Sequence, residues 1–433
     1  MVVRTSPGTA ANGGPDTREE VLDRTVVVAY SANPEAAASV PLIGYRITKG
    51  IHDLTSTTVI AHRRDAHALR KVFPPERIKV AGSARFAAAL RAVTTRLFAG
   101  KWGLISMLDF PDYLLFDLHA YLIGRRMLRR RRVDYVLRVN PISFRFPSLL
   151  GRLRAPVFTG PHNGGMDWPP GFRHLDAREG TGQRFRFVGD LLHRLYGDSR
   201  RYAGIFVAHD QCAAAVPEAD RTKVTLICEN GVDQLGEPGP NAGDARRLLY
   251  VGRLIPPKAV DVLIRAVARL PEDVRLTIVG DGGERRALER LATQLGVAGR
   301  ITFEGHRPHD DVWRYYQQAG VFAFPSVRES GGGAVLEAMS YGLPCLVAAW
   351  GGPMLYTEET GVHLRVDSPQ TLEDDLVAAV RRLLDSPDEA RRIGQHSREV
   401  IAERYLWSGK VAHLHRHAMA VVAGAMPRRR TKG

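Results

Sequence analysis

The sequence predicts an α/β protein of two domains, each a doubly wound, largely parallel sheet with helices on both faces, facing each other across a cleft. Three observations carry this expectation. The chain has 433 residues, well beyond the roughly 250 at which single hydrophobic cores stop growing. From Thr25 onward, short apolar β-branched runs bounded by turn residues alternate with longer segments of helical period, the pattern of parallel βαβ units. Between the two halves, Gly236-Glu-Pro-Gly-Pro-Asn-Ala-Gly243 is too dense in glycine and proline to support helix or strand.

The elements follow in order. Residues 1–22, polar and rich in glycine, proline and threonine without an apolar segment, read as a disordered tail and not as a signal peptide. Residues 23–235 form the first Rossmann-like domain, with strands expected at 25–30, 57–61, 78–81, 134–139, 156–159, 204–208 and 224–228. Residues 236–245 are the linker. A second Rossmann-like domain spans 246–407, with strands at 247–251, 275–280, 300–303, 321–324 and 344–347, then helices at 372–384 and 387–403. A last helix, 408–425, is placed against the first domain, and 426–433 form a basic tail. No internal repeat is visible.

Composition narrows the function classes. The hydrophobic fraction is 44% and the charged fraction 25%, values of a soluble globular chain. Cys212, Cys228 and Cys345 are odd in number and lack metal-ligand spacing, so neither a disulfide framework nor a zinc site is expected. The most apolar stretch, 113–124, contains Asp117 and His119, and no run approaches the roughly 18 apolar residues of a spanning helix. A cytoplasmic protein is expected. The formal charge of +15 points to an anionic partner. One cluster of cations is Arg125, Arg126 and Arg129 to Arg132, and another is Arg428, Arg429, Arg430 and Lys432. Without interleaved aromatic residues they do not form a nucleic-acid stacking platform. They read either as a solvated face with helix-end pairing or as peripheral contact with an anionic membrane surface.

The main chemical signal is the run from Phe324 to Pro344, which follows a strand and leads into a helix. Gly331, Gly332 and Gly333 let the backbone approach a ligand closely, and the helix N-terminus adds free N–H groups and about half a positive charge. A diphosphate would fit there. Glu329 in the loop and Glu337, expected in the first helical turn, flank it. Carboxylates beside a phosphate site suit sugar or ribose hydroxyls better than phosphate; the competing reading is that Glu337 complements the helix end and Glu329 is solvated. A second signal is Tyr250-Val-Gly-Arg-Leu-Ile-Pro-Pro-Lys258, where Arg253 and Lys258 follow a strand at the edge where open α/β sheets bind ligands.

Gly252-Arg-Leu-x-x-x-Lys258, Val279-Gly-Asp-Gly282, Phe303-x-Gly305, the Glu329-x7-Glu337 pair, Gly-Leu-Pro344 and Gly351-Gly-Pro353 together resemble the retaining glycosyltransferases of family 4 over about 110 residues. The likeness extends to Ser143-Phe-Arg-Phe-Pro-Ser148, Gly160-Pro-His-Asn-Gly-Gly165 and Glu229-Asn-Gly-Val-Asp233. It implies the two-domain GT-B fold, with the first domain on the acceptor side and the second binding a nucleotide-diphosphate sugar. By that resemblance Arg253 and Lys258 bind the donor phosphates, Glu329 holds the sugar hydroxyls and Glu337 the ribose. Ser330 and the glycines Gly331 to Gly333 line the diphosphate, and the backbone near Gly305 and His306 meets the base. His162 resembles the histidine that such enzymes present to the donor sugar; from its residues alone it reads equally as a histidine satisfied by its own loop. The chain departs from the family at Val40 and Leu42, where an acidic residue and a glycine are expected, at Ala259, where glycine usually follows the lysine, and at Leu355, where an acid is common.

No Asp-x-Asp occurs in the chain, so the paired-carboxylate metal site of other transferases is not expected, nor is any cofactor. The resemblance implies front-face transfer without a protein nucleophile. A GT-B phosphorylase, a nucleotide-sugar epimerase and a catalytically silent nucleotide-sugar binder remain as alternatives.

Overall fold

The computed structural model describes residues 24–36, 40–83, 85, 88–89, 110–139, 146–175 and 199–424. Both expected tails and residues 143–145 of the 143–148 motif lie outside the described residues. The first sheet has seven parallel strands: β1 (Thr25–Ala29), β2 (Thr57–His62), β3 (Ile78–Ala81), β4 (Tyr135–Val139), β5 (Val157–His162), β6 (Gly204–Val207) and β7 (Val224–Leu226), in the order β3-β2-β1-β4-β5-β6-β7. Its longer helices are α1 (Val40–Leu54) and α2 (Phe110–Leu128). The second sheet has six parallel strands: β8 (Arg247–Val251), β9 (Arg275–Val279), β10 (Ile301–Gly305), β11 (Val321–Phe324), β12 (Cys345–Ala348) and β13 (Val362–Leu364), ordered β10-β9-β8-β11-β12-β13. Its helices of eight residues or more are α3 (Val260–Ala268), α4 (Arg285–Gln294), α5 (His309–Gln318), α6 (Gly333–Ser340), α7 (Pro369–Asp385) and α8 (Pro387–Val400). A π-helical turn, Ile401–Tyr405, then leads into α9 (Trp407–Val422).

Residue choice explains these elements. The central strands β1, β4, β11 and β12 are buried at every position, because helices cover both faces of a parallel sheet and β-branched side chains fill both sides. The α7 helix starts where the Ser368 hydroxyl accepts the Thr371 amide at 3.0 Å and Pro369 takes the first turn, a favoured helix start. The three-residue β13 was not among the expected strands.

The two halves interlock. Trp168, Phe172 and Leu175, from the segment after β5, are buried within the second domain's core. Returning the other way, Val411, Leu414 and Ala418 of α9 join Ile47 and Ile51 of α1 in a first-domain core. Between them Val232 pairs with Leu406, the Trp407 amide donating to the Val232 carbonyl at 2.9 Å. Both sheets reverse strand order beside their first strand, β1 against β4 and β8 against β11, and in such sheets the crevice outside the carboxyl ends at that reversal is where ligands bind.

Candidate active site

The loops after β8 and β11 are tied to each other. The Val327 amide and the Ser326 hydroxyl both donate to the Pro257 carbonyl, at 3.0 and 3.3 Å. This pairing sets Lys258 against Glu329: the ammonium donates to the Glu329 carboxylate and lies 5.1 Å from the centre of the Phe324 ring. The other Glu329 oxygen accepts the Gly332 amide at 3.0 Å. Burial opposes ionisation of this carboxyl, but the Lys258 charge and the amides of the glycine turn outweigh it and hold its pKa below the ordinary value. Lys258 and Glu329 therefore stand as a desolvated, oppositely charged pair at the reversal point. Arg253, at the end of β8, is exposed, its carbonyl accepting the Tyr250 hydroxyl at 3.1 Å.

The glycine turn is built for close approach. Gly332 lies at φ 54°, and a Cβ there would sit 2.3 Å from the Tyr356 hydroxyl. That hydroxyl donates to the carbonyls of Gly331 and Gly332, at 3.2 and 2.9 Å, and so fixes the turn at the head of α6. With Gly333 as the first helical residue, the leading N–H groups of α6 project from this turn. Because α6 begins only at Gly333, Glu337 sits in its second turn, one turn deeper than the sequence reading placed it. Its carboxylate accepts the Tyr316 hydroxyl at 2.8 Å and meets His309 Nε2 at 3.1 Å. That hydrogen bond raises the pKa of His309, and Glu337 is held by α5 instead of complementing a helix end.

Lys258, Glu329, Ser330 and Gly331 to Gly333 thus converge, with Glu337 further along α6, while Arg253 stays exposed in the loop after β8. Gly305 and His306 lie at the end of β10, two strands from β8; Gly305 accepts the Gly280 amide at 2.8 Å and His306 is exposed. His162 ends β5 in the first domain. It is 1% exposed and its Nε2 shares a 3.0 Å hydrogen bond with Thr159.

Sequence reasoning missed Glu229 and the full part played by Asn163. Asn163 follows β5 and reaches both domains: its carbonyl accepts the Ser330 hydroxyl at 2.9 Å, and its amide donates to Glu229. Glu229 is 5% exposed and presses on the glycine turn, since a Cβ on Gly331 would fall 2.5 Å from its Oε1. Burial, aided by the nearby Glu329 charge, pushes its pKa up to about 7 against the opposing pull of Asn163, Lys410 and Ser330. The Glu229-Asn-Gly-Val-Asp233 motif marks the segment but not the burial of this carboxyl, because its surroundings come from three distant segments.

The chain has the GT-B fold. The Anabaena protein HepE in complex with UDP superposes with a TM-score of 0.63 at 16% identity, over 91% of this chain and 99% of that one. Sucrose-phosphate synthase from Thermosynechococcus elongatus gives a TM-score of 0.64 at 18% identity, over 93% and 100% of the two chains. Residues 234–400 match the family of glycosyl transferases group 1. A D-inositol 3-phosphate glycosyltransferase of Corynebacterium efficiens is 32% identical over 257 residues, 56% of this chain and 57% of that protein. The chain spans about half the length of the curated relatives it matches.

Proposed function

We propose that this protein is a retaining glycosyltransferase that moves a sugar from a nucleotide-diphosphate donor to a hydroxyl acceptor without a metal ion. The observation that carries the reading is the Lys258–Glu329 pair set against the glycine turn at the β8/β11 reversal. The match of residues 234–400 to the group 1 family supports it, and the HepE structures with UDP and UDP-glucose make a nucleoside diphosphate sugar the natural donor class to test.

In this reading the donor diphosphate takes up Lys258 and Arg253 and the amides at the head of α6, which frees Glu329 to accept hydrogen bonds from sugar hydroxyls. Glu337, already an acceptor for Tyr316, holds the ribose. The bond between the anomeric carbon and the β-phosphate oxygen breaks, its electron pair leaving with the diphosphate. The acceptor oxygen bonds to the same face of that carbon and passes its proton to the departing phosphate. The charge that develops on the leaving group is met by groups fixed in advance in a partly desolvated cleft, each such donor contributing on the order of 10²- to 10³-fold in rate.

Incubation of the chain with nucleotide sugars and an acceptor panel, followed by NMR of the product, tests this. The expected result is release of nucleoside diphosphate and a glycoside with the donor's anomeric configuration. An inverted product, sugar 1-phosphate formed from glycoside and phosphate, or donor epimerised without an acceptor would overturn it.

A further inference from the structure

α2 carries a surface that the transfer chemistry does not use. Seen down its axis, Asp112, Tyr113, Phe116, Asp117, Ala120 and Gly124 form the buried side. Both carboxylates of the helix belong to that side and are engaged. Asp112 accepts the Tyr30 hydroxyl at 3.0 Å and lies 3.3 Å from His62 Nε2 and 3.6 Å from Arg64. Asp117 accepts the Ser148 hydroxyl at 2.5 Å and the Leu149 amide at 2.7 Å. What α2 turns outward is then free of its own negative charge. Leu118 and Leu122 are 43% and 50% exposed, and helical spacing continues their stripe back through the half-buried Leu114 and Leu115 and forward into the exposed Arg125, Arg126 and Arg129. Arg130 to Arg132 extend the cationic end, and Arg152 and Arg154 are exposed on either side of Leu153, which packs against Gly124. Asp134, the next acid along the chain, pairs with Arg24 at 3.2 Å.

Single exposed leucines are ordinary. A leucine stripe that runs into a block of arginines on one helix face is a different matter, since it matches the two layers of an anionic lipid surface: acyl boundary for the leucines, charged headgroups for the arginines. No described helix is long and apolar enough to cross a membrane, so the helix would lie along the surface. Asp112 in its first turn touches Tyr30 and His62, at the carboxyl edge of β1 and β2, so the apolar end of the stripe adjoins the first domain's cleft rim. The arginines lie at the opposite rim, just before β4.

We propose that the outer face of α2, through Leu118, Leu122 and the arginines from Arg125 to Arg132, docks this protein flat on an anionic lipid surface. Each arginine adds roughly fivefold in partitioning, and this attraction falls steeply with salt. The test is co-sedimentation of the full chain with vesicles of phosphatidylcholine alone or mixed with phosphatidylglycerol. The expected result is binding to the mixed vesicles only, lost at high salt. Replacing Arg125, Arg126 and Arg129 together by Glu should weaken it by at least about a hundredfold, replacing them by Lys should preserve it, and Leu118→Ser with Leu122→Ser should weaken it by about tenfold or more. All these positions are solvent-exposed, and unchanged circular dichroism checks their folding. Equal binding to neutral vesicles, no binding to either, wild-type binding by the leucine variant, or use of the face by RNA or a second copy of the chain in place of lipid would overturn the proposal. Transfer activity on a soluble acceptor is read separately, so this result and that of the transferase reading are independent.

Discussion

Lys258 is the side chain on which the proposed chemistry depends most. It is 9% exposed and shares its charge with Glu329, so the donor diphosphate would meet a cation already stripped of water. A charge-assisted hydrogen bond of this kind contributes about 1.5–3 kcal/mol, so Lys258→Ala should weaken nucleotide-sugar affinity by roughly ten- to a hundredfold in calorimetry. Because the variant also leaves Glu329 without its partner, Lys258→Arg is the companion measurement: it keeps the charge and should retain more affinity. Glu337→Ala should weaken nucleotide binding while the fold persists, since that carboxylate is 29% exposed; unchanged affinity in both alanine variants would remove the assigned site. Ala259 is the one non-glycine described residue in the left-handed region, at φ 48°, which explains the glycine expected at that position. Left-handed geometry costs an alanine about 1–2 kcal/mol, more than the burial of one methyl group returns. Ala259→Gly should therefore raise the melting temperature, and a lowered one would show that the turn is not strained.

Among elements, the parallel strands were legible because β-branched runs between turn residues have few other readings, and the glycine turn because three glycines after a strand have few other uses. Burial patterns that depend on distant segments were not. β13 is only three residues, too short for any period to register. Glu337 fell a turn deeper because the start of α6 is set by the Gly332 conformation, which the run of three glycines does not specify. Trp168, Phe172 and Leu175 read as first-domain residues by position, yet their apolar surface is buried by the second domain, a tertiary outcome that no local pattern encodes. The close approach of strand ends is testable at this scale. Gly280 lies at φ 143°, and a Cβ there would come within 1.9 Å of the Gly252 carbonyl oxygen, so β8 and β9 cannot keep their present spacing with a side chain. Gly280→Ala should cost well over about 1 kcal/mol in denaturant unfolding; near-neutral stability would contradict the packing of these strand ends.

Across the whole molecule, Glu229, Asn163 and Ser330 join the two domains directly beneath the glycine turn. The folded-state pKa of Glu229, about 7, stands above the ordinary glutamate value of 4.5, so its neutral form is favoured by folding. The stability it contributes is full below about pH 4.5 and is lost as pH rises through about 7. At about 1.4 kcal/mol for each pKa unit, wild type should lose a few kcal/mol over that window relative to Glu229→Gln, whose amide cannot ionise; parallel pH profiles for the two would mean that this carboxyl is already solvated. The seam also places the first domain against the very turn assigned to the diphosphate. The most direct test of that assignment is the crystal structure of the chain with a nucleotide sugar bound. The diphosphate should lie within hydrogen-bonding distance of Lys258 Nζ and the amides at the head of α6, with Glu329 turned to the sugar and Glu337 to the ribose. A ligand lodged elsewhere, with the Lys258–Glu329 pair undisturbed, would contradict it.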